Sequence, residues 1–168
     1  MRKIKLYKDP IEVSKLLQHA PYLWGGNTTL GIDCSGLIQI SMLLCGIDCP
    51  GDSDQQMNTL GQNIDIGSPR KKGDLLFWKG HVAWAVNERQ ILHANAYHMA
   101  TVIEEANETI ERIKKHPSSS ADGHRLLNLE YVKKIENFIP YPYLAISKED
   151  FEFLKEPETQ SESVDEAR

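Results

Sequence analysis

The chain has 168 residues, of which 40% are hydrophobic and 26% charged, a one-domain length with enough apolar material for a core. Its formal net charge of -5 argues against a general nucleic-acid or membrane-surface binder, since both need a basic face. No stretch approaches the roughly 18 apolar residues of a transmembrane helix.

At the start, Met1-Arg2-Lys3-Ile4-Lys5 has the charge of a secretion signal without the apolar run that should follow it. The expectation is a cytoplasmic protein, with an exported or cell-wall-associated one that has lost an N-terminal segment as the alternative. From Pro10 to His19 the apolar residues Ile11, Val13, Leu16 and Leu17 lie among polar ones, and Pro10 suits a first helical position. A short amphipathic helix is predicted there, closed by Ala20-Pro21. Tyr22 to Gly31 then reads as a loop, with Gly25 and Gly26 supplying backbone conformations that other residues resist.

Asp33 is placed to cap a helix that starts at Cys34 and runs to about Cys45, with Gly46 as its stop. Leu37, Ile38, Ile40, Met42, Leu43 and Leu44 wrap nearly all round it, the mark of a central, buried helix. Ser53 to Met57 allows one or two further helical turns. Four short runs follow, at 74–78, 81–86, 90–94 and 101–104, separated by turn residues. They read as an antiparallel meander, and helix-then-strand order gives an α+β fold with helices packed on one face of the sheet. Residues 1–115 form the expected catalytic unit. The segment 116–155 reads as a linker and extension, with a short helix over Leu126 to Phe138 and an extended Tyr141-Pro142-Tyr143. The acidic stretch 156–168 reads as disordered.

The three cysteines, Cys34, Cys45 and Cys49, cannot all pair, and without a secretion signal they read as reduced thiols. Cys45 and Cys49 lack the further close ligands a zinc site needs, so no metal is expected. Cys34 differs in its position. At a helix N-terminus its sulfur meets unpaired backbone N–H groups and the positive end of the helix dipole, which favour thiolate, while the neighbouring Asp33 opposes it. A cationic imidazole would then hold the thiolate. His81 opens a strand in which Ala83 and Ala85 share its face, and Ile91, His93 and Asn95 share a face in the next strand. The two histidines meet only if the intervening loop has an odd number of residues, a condition that three residues at Asn87-Glu88-Arg89 satisfy. Cys34 would then lie over the small-residue face, with His81 as base and His93 orienting it. His98 and His116 read as surface residues and His19 as a helix-end histidine.

Pro21-Tyr22-Leu23-Trp24-Gly25-Gly26, Asp33-Cys34-Ser35-Gly36-Leu37, Gly73-Asp74-Leu75-Leu76-Phe77-Trp78, Gly80-His81-Val82 and Leu92-His93-Ala94-Asn95, in that order, resemble the NlpC family. These are bacterial cell-wall cysteine peptidases with a papain-like core. The resemblance implies hydrolysis of the amide between γ-D-glutamate and a diamino acid in peptidoglycan stem peptides or muropeptides, without metal or organic cofactor. It also implies Cys34 as nucleophile, His81 as base and His93 as third polar residue. Tyr22 matches the family tyrosine beside the nucleophile. Asp33 and Ser35 match positions that hold the free amine and the glutamyl carboxylate, and Ser53 matches a second carboxylate-binding serine. Trp24 is grouped with them as a substrate-binding residue, against the plainer reading of a loop-packing aromatic. Family dipeptidases carry β-barrels before the catalytic domain, and the residues before Tyr22 are too few for one. Exopeptidase and endopeptidase action therefore both stand open. Other readings are a papain-like amidase or acyltransferase on another substrate, and a non-catalytic cell-wall-binding module.

Overall fold

A computed structural model describes residues 6–65 and 68–115; the expectations for 116–168 lie outside the described residues. The elements in order are α1 (Pro10–Leu16), β1 (Asn27–Thr28), β2 (Gly31–Ile32), α2 (Cys34–Leu44), α3 (Ser53–Thr59), β3 (Leu75–Trp78), β4 (His81–Ala85), β5 (Gln90–Asn95), β6 (Ala100–Glu105) and α4 (Ala106–Lys114). The last four strands form the expected antiparallel meander, in the order β3-β4-β5-β6.

α1 starts where Asp9 accepts a hydrogen bond from the Ile11 N–H, with Pro10 in the first turn, and it ends three residues before His19. α2 is capped by Asp33 and buried along nearly all its length, as its all-round apolar pattern requires. Gly46, at φ +73°, takes the left-handed conformation that stops the chain from continuing as helix. The loop expected over Tyr22–Gly31 contains one departure. Asn27 and Thr28 pair with Ile32 and Gly31 in a small hairpin, which brings the chain back in position to cap α2.

Pairing Trp84 with Leu92 and Ala85 with Ile91, and closing Val86 on Gln90, leaves Asn87-Glu88-Arg89 as the loop between β4 and β5. The Asn87 side-chain oxygen accepts from the N–H groups of Arg89 and Gln90, which fixes this odd-length turn. One sheet face presents Leu75, Phe77, Val82, Trp84, Leu92 and Ala94, packed with Ile11, Val13, Leu37 and Ile38 of α1 and α2. The other presents Leu76, Trp78, Ala83, Ala85 and Ile91, against Ala106 and Ile110 of α4. Thus α1 and α2 share one face as expected, and α4 adds a layer on the second. Its signal in the sequence is Ala106, Ile110 and Ile113 at helical spacing after a capping Glu105. No helix among the described residues is long and apolar enough to cross a membrane.

Candidate active site

The site forms where the N-terminus of α2 meets the start of β4. Cys34 is the first residue of α2 and is buried, and its sulfur lies 4.0 Å from the carbonyl oxygen of Gly80, immediately before His81. One correction follows from the packing. α2 lies on the face of Val82 and Trp84, whereas Ala83 and Ala85 face α4, so Cys34 does not sit over the small-residue face. A helix that is apolar all round needs the large side chains of the opposite face. The sulfur instead reaches β4 beside the backbone of Gly80 and Val82, at the strand's end.

His81 and His93 do share a face, and His81 Nε2 lies 2.7 Å from His93 Nδ1. Trp78, the cross-strand partner of His81, stacks obliquely on it with ring centroids 5.6 Å apart. His93 is fully buried, and its Nε2 lies 2.7 Å from Glu104 Oε1. Arg112, from α4, grips Glu104 bidentately at 2.7 and 2.8 Å and lies over the Tyr97 ring, 4.2 Å from its centroid. His98 is exposed as expected, yet its Nε2 lies 3.0 Å from Glu104 Oε2. Sequence reasoning does not reach Glu104 or Arg112. Glu104 stands at the end of a strand and Arg112 on the unanticipated helix, and only the β5–β6 register and the docking of α4 bring them to His93.

The remaining site residues surround the α2 N-terminus. Tyr22 is half-buried and held twice, through a bridge to Ile32 and a hydrogen bond from its N–H to the Met99 carbonyl at 2.9 Å. Burial, with the charges of Cys34 and Asp33, raises its phenol pKa, consistent with a place next to both. Asp33 Oδ1 accepts from the Gly36 N–H at 2.7 Å and from the Ser35 hydroxyl at 3.2 Å, while Oδ2 accepts from the Gly25 N–H at 2.8 Å. Its carboxylate thus ties the glycine turn to the helix, with part of its acceptor capacity left over. Gln56, fully buried, donates to the carbonyls of Ser35 and Pro50 at 2.9 and 2.8 Å. That anchor brings Ser53, one turn earlier in α3, to the same end of α2. Trp24 is 82% exposed, so it is not a packing aromatic and its ring is open to a ligand.

The electrostatics differ from the thiolate expected from the helix end. Burial raises the Cys34 thiol to about 11, with Asp33 adding to the rise, and this outweighs the N–H groups of Val82, Ser35 and Cys34 that favour the anion. Burial and the adjacent His93 lower His81 to about 3. Both shifts favour a neutral thiol and a neutral imidazole in the protein at rest. Alkylation of Cys34 by iodoacetamide, followed by mass spectrometry of its peptide, should therefore keep accelerating well above pH 9. A plateau reached below pH 8 would reveal a thiolate–imidazolium pair instead.

Comparison with known proteins places the fold and the family. The NlpC/P60 family model matches residues 19–116. The dipeptidyl-peptidase 6 of Lysinibacillus sphaericus is 41% identical over 75 residues, which cover 45% of this chain and 27% of that protein. A γ-D-glutamyl-L-lysine dipeptidyl-peptidase of Bacillus cereus is 33% identical over 94 residues, covering 51% of this chain and 28% of that protein. The chain thus spans under a third of the length of either relative. Among solved structures, the NlpC/p60 domain of the peptidoglycan hydrolase SagA superposes with a TM-score of 0.53 at 31% identity, covering 59% of this chain and 88% of that domain. The α+β, papain-like architecture stands, and with more than half of its length matched, the chain belongs to the NlpC/P60 family.

Proposed function

We propose that this protein is a cysteine peptidase that hydrolyses the amide between γ-D-glutamate and a diamino acid in peptidoglycan stem peptides. The observation that carries the reading is that Cys34, at the α2 N-terminus, lies against the backbone of Gly80 and Val82, the two neighbours of His81, whose ring is joined to His93 at 2.7 Å. Family membership and the names of the similar dipeptidyl-peptidases support the substrate class.

With thiol and imidazole both neutral at rest, the proton moves as the bond forms. Sγ attacks the γ-glutamyl carbonyl carbon while its proton passes to His81, and the carbonyl π pair moves onto oxygen. The first-turn N–H of Cys34 receives the oxyanion, with Tyr22 beside it, and one such donor is typically worth about 3 kcal/mol. Collapse breaks the C–N bond, and the amine leaves with the proton held by His81. Water then gives a proton to His81 and attacks the thioester, the C–S bond breaks, and the thiol returns. Asp33 has acceptor capacity left for the substrate's free ammonium group. The Ser35 hydroxyl must turn from Asp33 to donate to a carboxylate, and Ser53 supplies a second donor.

The test is incubation of the protein with L-alanyl-γ-D-glutamyl-diaminopimelate and, separately, with its lysine counterpart, followed by chromatography of the amine products. Release of free diaminopimelate or lysine is expected. A folded protein that releases neither would overturn the reading.

A further inference from the structure

The contact between His81 and His93 raises a question that chemistry decides: which ring donates. Two neutral imidazoles joined through Nε2 and Nδ1 share one hydrogen. If His93 supplies it, His81 Nε2 is the acceptor, its own proton sits on Nδ1, and no base is left for the thiol. If His81 supplies it, Nδ1 is the free base. Nδ1 is also the ring nitrogen nearer the backbone, and it is at the backbone of Gly80 that the Cys34 sulfur lies.

Two neighbours of His93 Nε2 pull in opposite directions. The Asn95 side-chain nitrogen, 3.0 Å away, could donate to it, and its amide orientation is fixed because Asn95 Oδ1 accepts from the His98 N–H at 2.8 Å. Glu104 Oε1, 2.7 Å away, can only accept while ionised. Its ionised state rests on geometry. Oε1 faces His93, Asn95 Nδ2 at 3.3 Å and Arg112 Nη2 at 2.8 Å, while Oε2 faces Arg112 Nη1 at 2.7 Å and His98 Nε2 at 3.0 Å. With donors turned on both oxygens, no room remains for a carboxylic proton, and the pKa direction agrees. Burial would raise Glu104, but the hydrogen bonds from His93, Arg112 and His98 hold it far below the usual carboxylate range. An unprotonated Nε2 at 2.7 Å from a carboxylate oxygen would set lone pair against lone pair. The proton therefore sits on His93 Nε2, and Asn95 gives its hydrogen to the carboxylate instead. A doubly protonated His93 would undo this, but burial lowers its pKa despite Glu104.

We propose that Glu104 is a positioning residue that sets the tautomers of His93 and, through it, of His81, leaving His81 Nδ1 unprotonated as the base for Cys34 at the strand end the sulfur reaches. The inference rests on the reading of Cys34 and His81 as nucleophile and base. Arg112 and His98 act on the chemistry only by holding this carboxylate ionised and in place. When His81 takes the thiol proton, its Nε2–H points at His93 Nδ1 and the His93 Nε2–H at the carboxylate, a line of dipoles oriented toward the new positive charge.

The test uses the full chain labelled with nitrogen-15 histidine, whose ring nitrogen shifts report tautomers without substrate, together with two variants. In the unaltered protein at neutral pH, both His81 and His93 are expected as Nε2–H tautomers. Glu104→Met keeps the bulk but removes the acceptor. Asn95 then becomes the partner of His93 Nε2, both tautomers invert, and kcat falls on the order of 10²–10⁴-fold with KM little changed. Glu104→Gln, with its amide oxygen toward His93, keeps both tautomers and a kcat within about tenfold of the unaltered protein. A merely structural ion pair would be lost equally in both variants. An Nδ1–H tautomer of His93 in the unaltered protein, or equal losses in Met and Gln variants with tautomers unchanged, would overturn the proposal. Because the tautomers are read without turnover, an inactive protein with Nε2–H tautomers would sink only the peptidase reading.

Discussion

Cys34→Ala is expected to abolish release of the diamino acid, by on the order of 10⁴-fold or more in kcat, while leaving the fold in place. The size follows from the route. Without the sulfur no acyl-enzyme forms, and direct attack by water keeps only the help of the N–H donors at the α2 N-terminus. The fold tolerates the change because the sulfur's contacts are weak ones, with the Gly80 carbonyl at 4.0 Å and with the N–H groups of Val82 and Ser35, and it lies at the start of the helix. Losing one buried sulfur costs about 1 kcal/mol, well inside the stability of an ordinary domain. Asp33, which caps α2, keeps its acceptors for Gly36 and Gly25 in the variant. The measurement pairs a progress curve for free diamino acid with a thermal melt. Turnover retained in a variant that melts like the parent would remove Cys34 from the mechanism. Turnover lost together with cooperative melting would mean only that the variant had not folded, and Cys34→Ser, which retains a polar atom of similar size, then repeats the test with the same expected loss.

What could be read from the sequence was what depends on near neighbours along the chain. Asp33 and Cys34 announce a helix start through adjacent residues, and Gly46 announces its end. The pairing of His81 with His93 needed only strand alternation and a loop parity, and Asn87 supplies the turn chemistry for the odd length. The blocks carrying the family resemblance span the same stretch. What escaped depends on contacts between distant segments. Ala83 and Ala85 looked like room for α2, but small residues say that something approaches closely, not which helix does. Glu104 looked like a charge at a strand end, and its role depends on the pairing of Ile91 with Glu104 across β5 and β6 and on Arg112 arriving from α4. The thiolate expected at Cys34 is opposed for a similar reason. The helix end is local and visible in sequence, whereas the burial that raises the thiol is imposed by the whole domain. Asp33 joins the two kinds. Its cap is local, while its bond to the Gly25 N–H is a tertiary clamp that no spacing rule predicts.

That clamp supplies the second large effect, Gly36→Ala, whose sign is the informative part. Inside a helix alanine is favoured over glycine by up to about 1 kcal/mol, so propensity alone predicts a more stable protein. The opposite is expected here. A Cβ on Gly36 would lie 2.3 Å from the Gly26 carbonyl oxygen and 3.1 Å from Asp33 Oδ1. The first contact is with backbone, which cannot rotate away as a side chain would. Nor can the turn retreat easily: the Gly26 carbonyl accepts from the Asp33 N–H at 3.0 Å, and a Cβ on Gly26 would itself meet the Gly31 carbonyl oxygen at 2.4 Å. Three glycines, Gly26, Gly31 and Gly36, therefore pack backbone to backbone, and the turn carrying Tyr22 and Trp24 is seated on the helix start by that closeness. Overpacking of this kind costs about 1–3 kcal/mol and exceeds the propensity gain, so the melting temperature should fall by roughly 5–10 °C. Activity should fall further than stability does, because any relief moves Asp33 and the first turn of α2 relative to His81. Gly51→Ala is the control, since its Cβ would come only within 3.6 Å of the Gln39 side chain. Its melting temperature should stay within about 2 °C of the parent. A Gly36→Ala protein as stable as the parent would mean that the turn yields, and that the closeness of Gly26 to α2 is not what seats the turn carrying Tyr22 and Trp24.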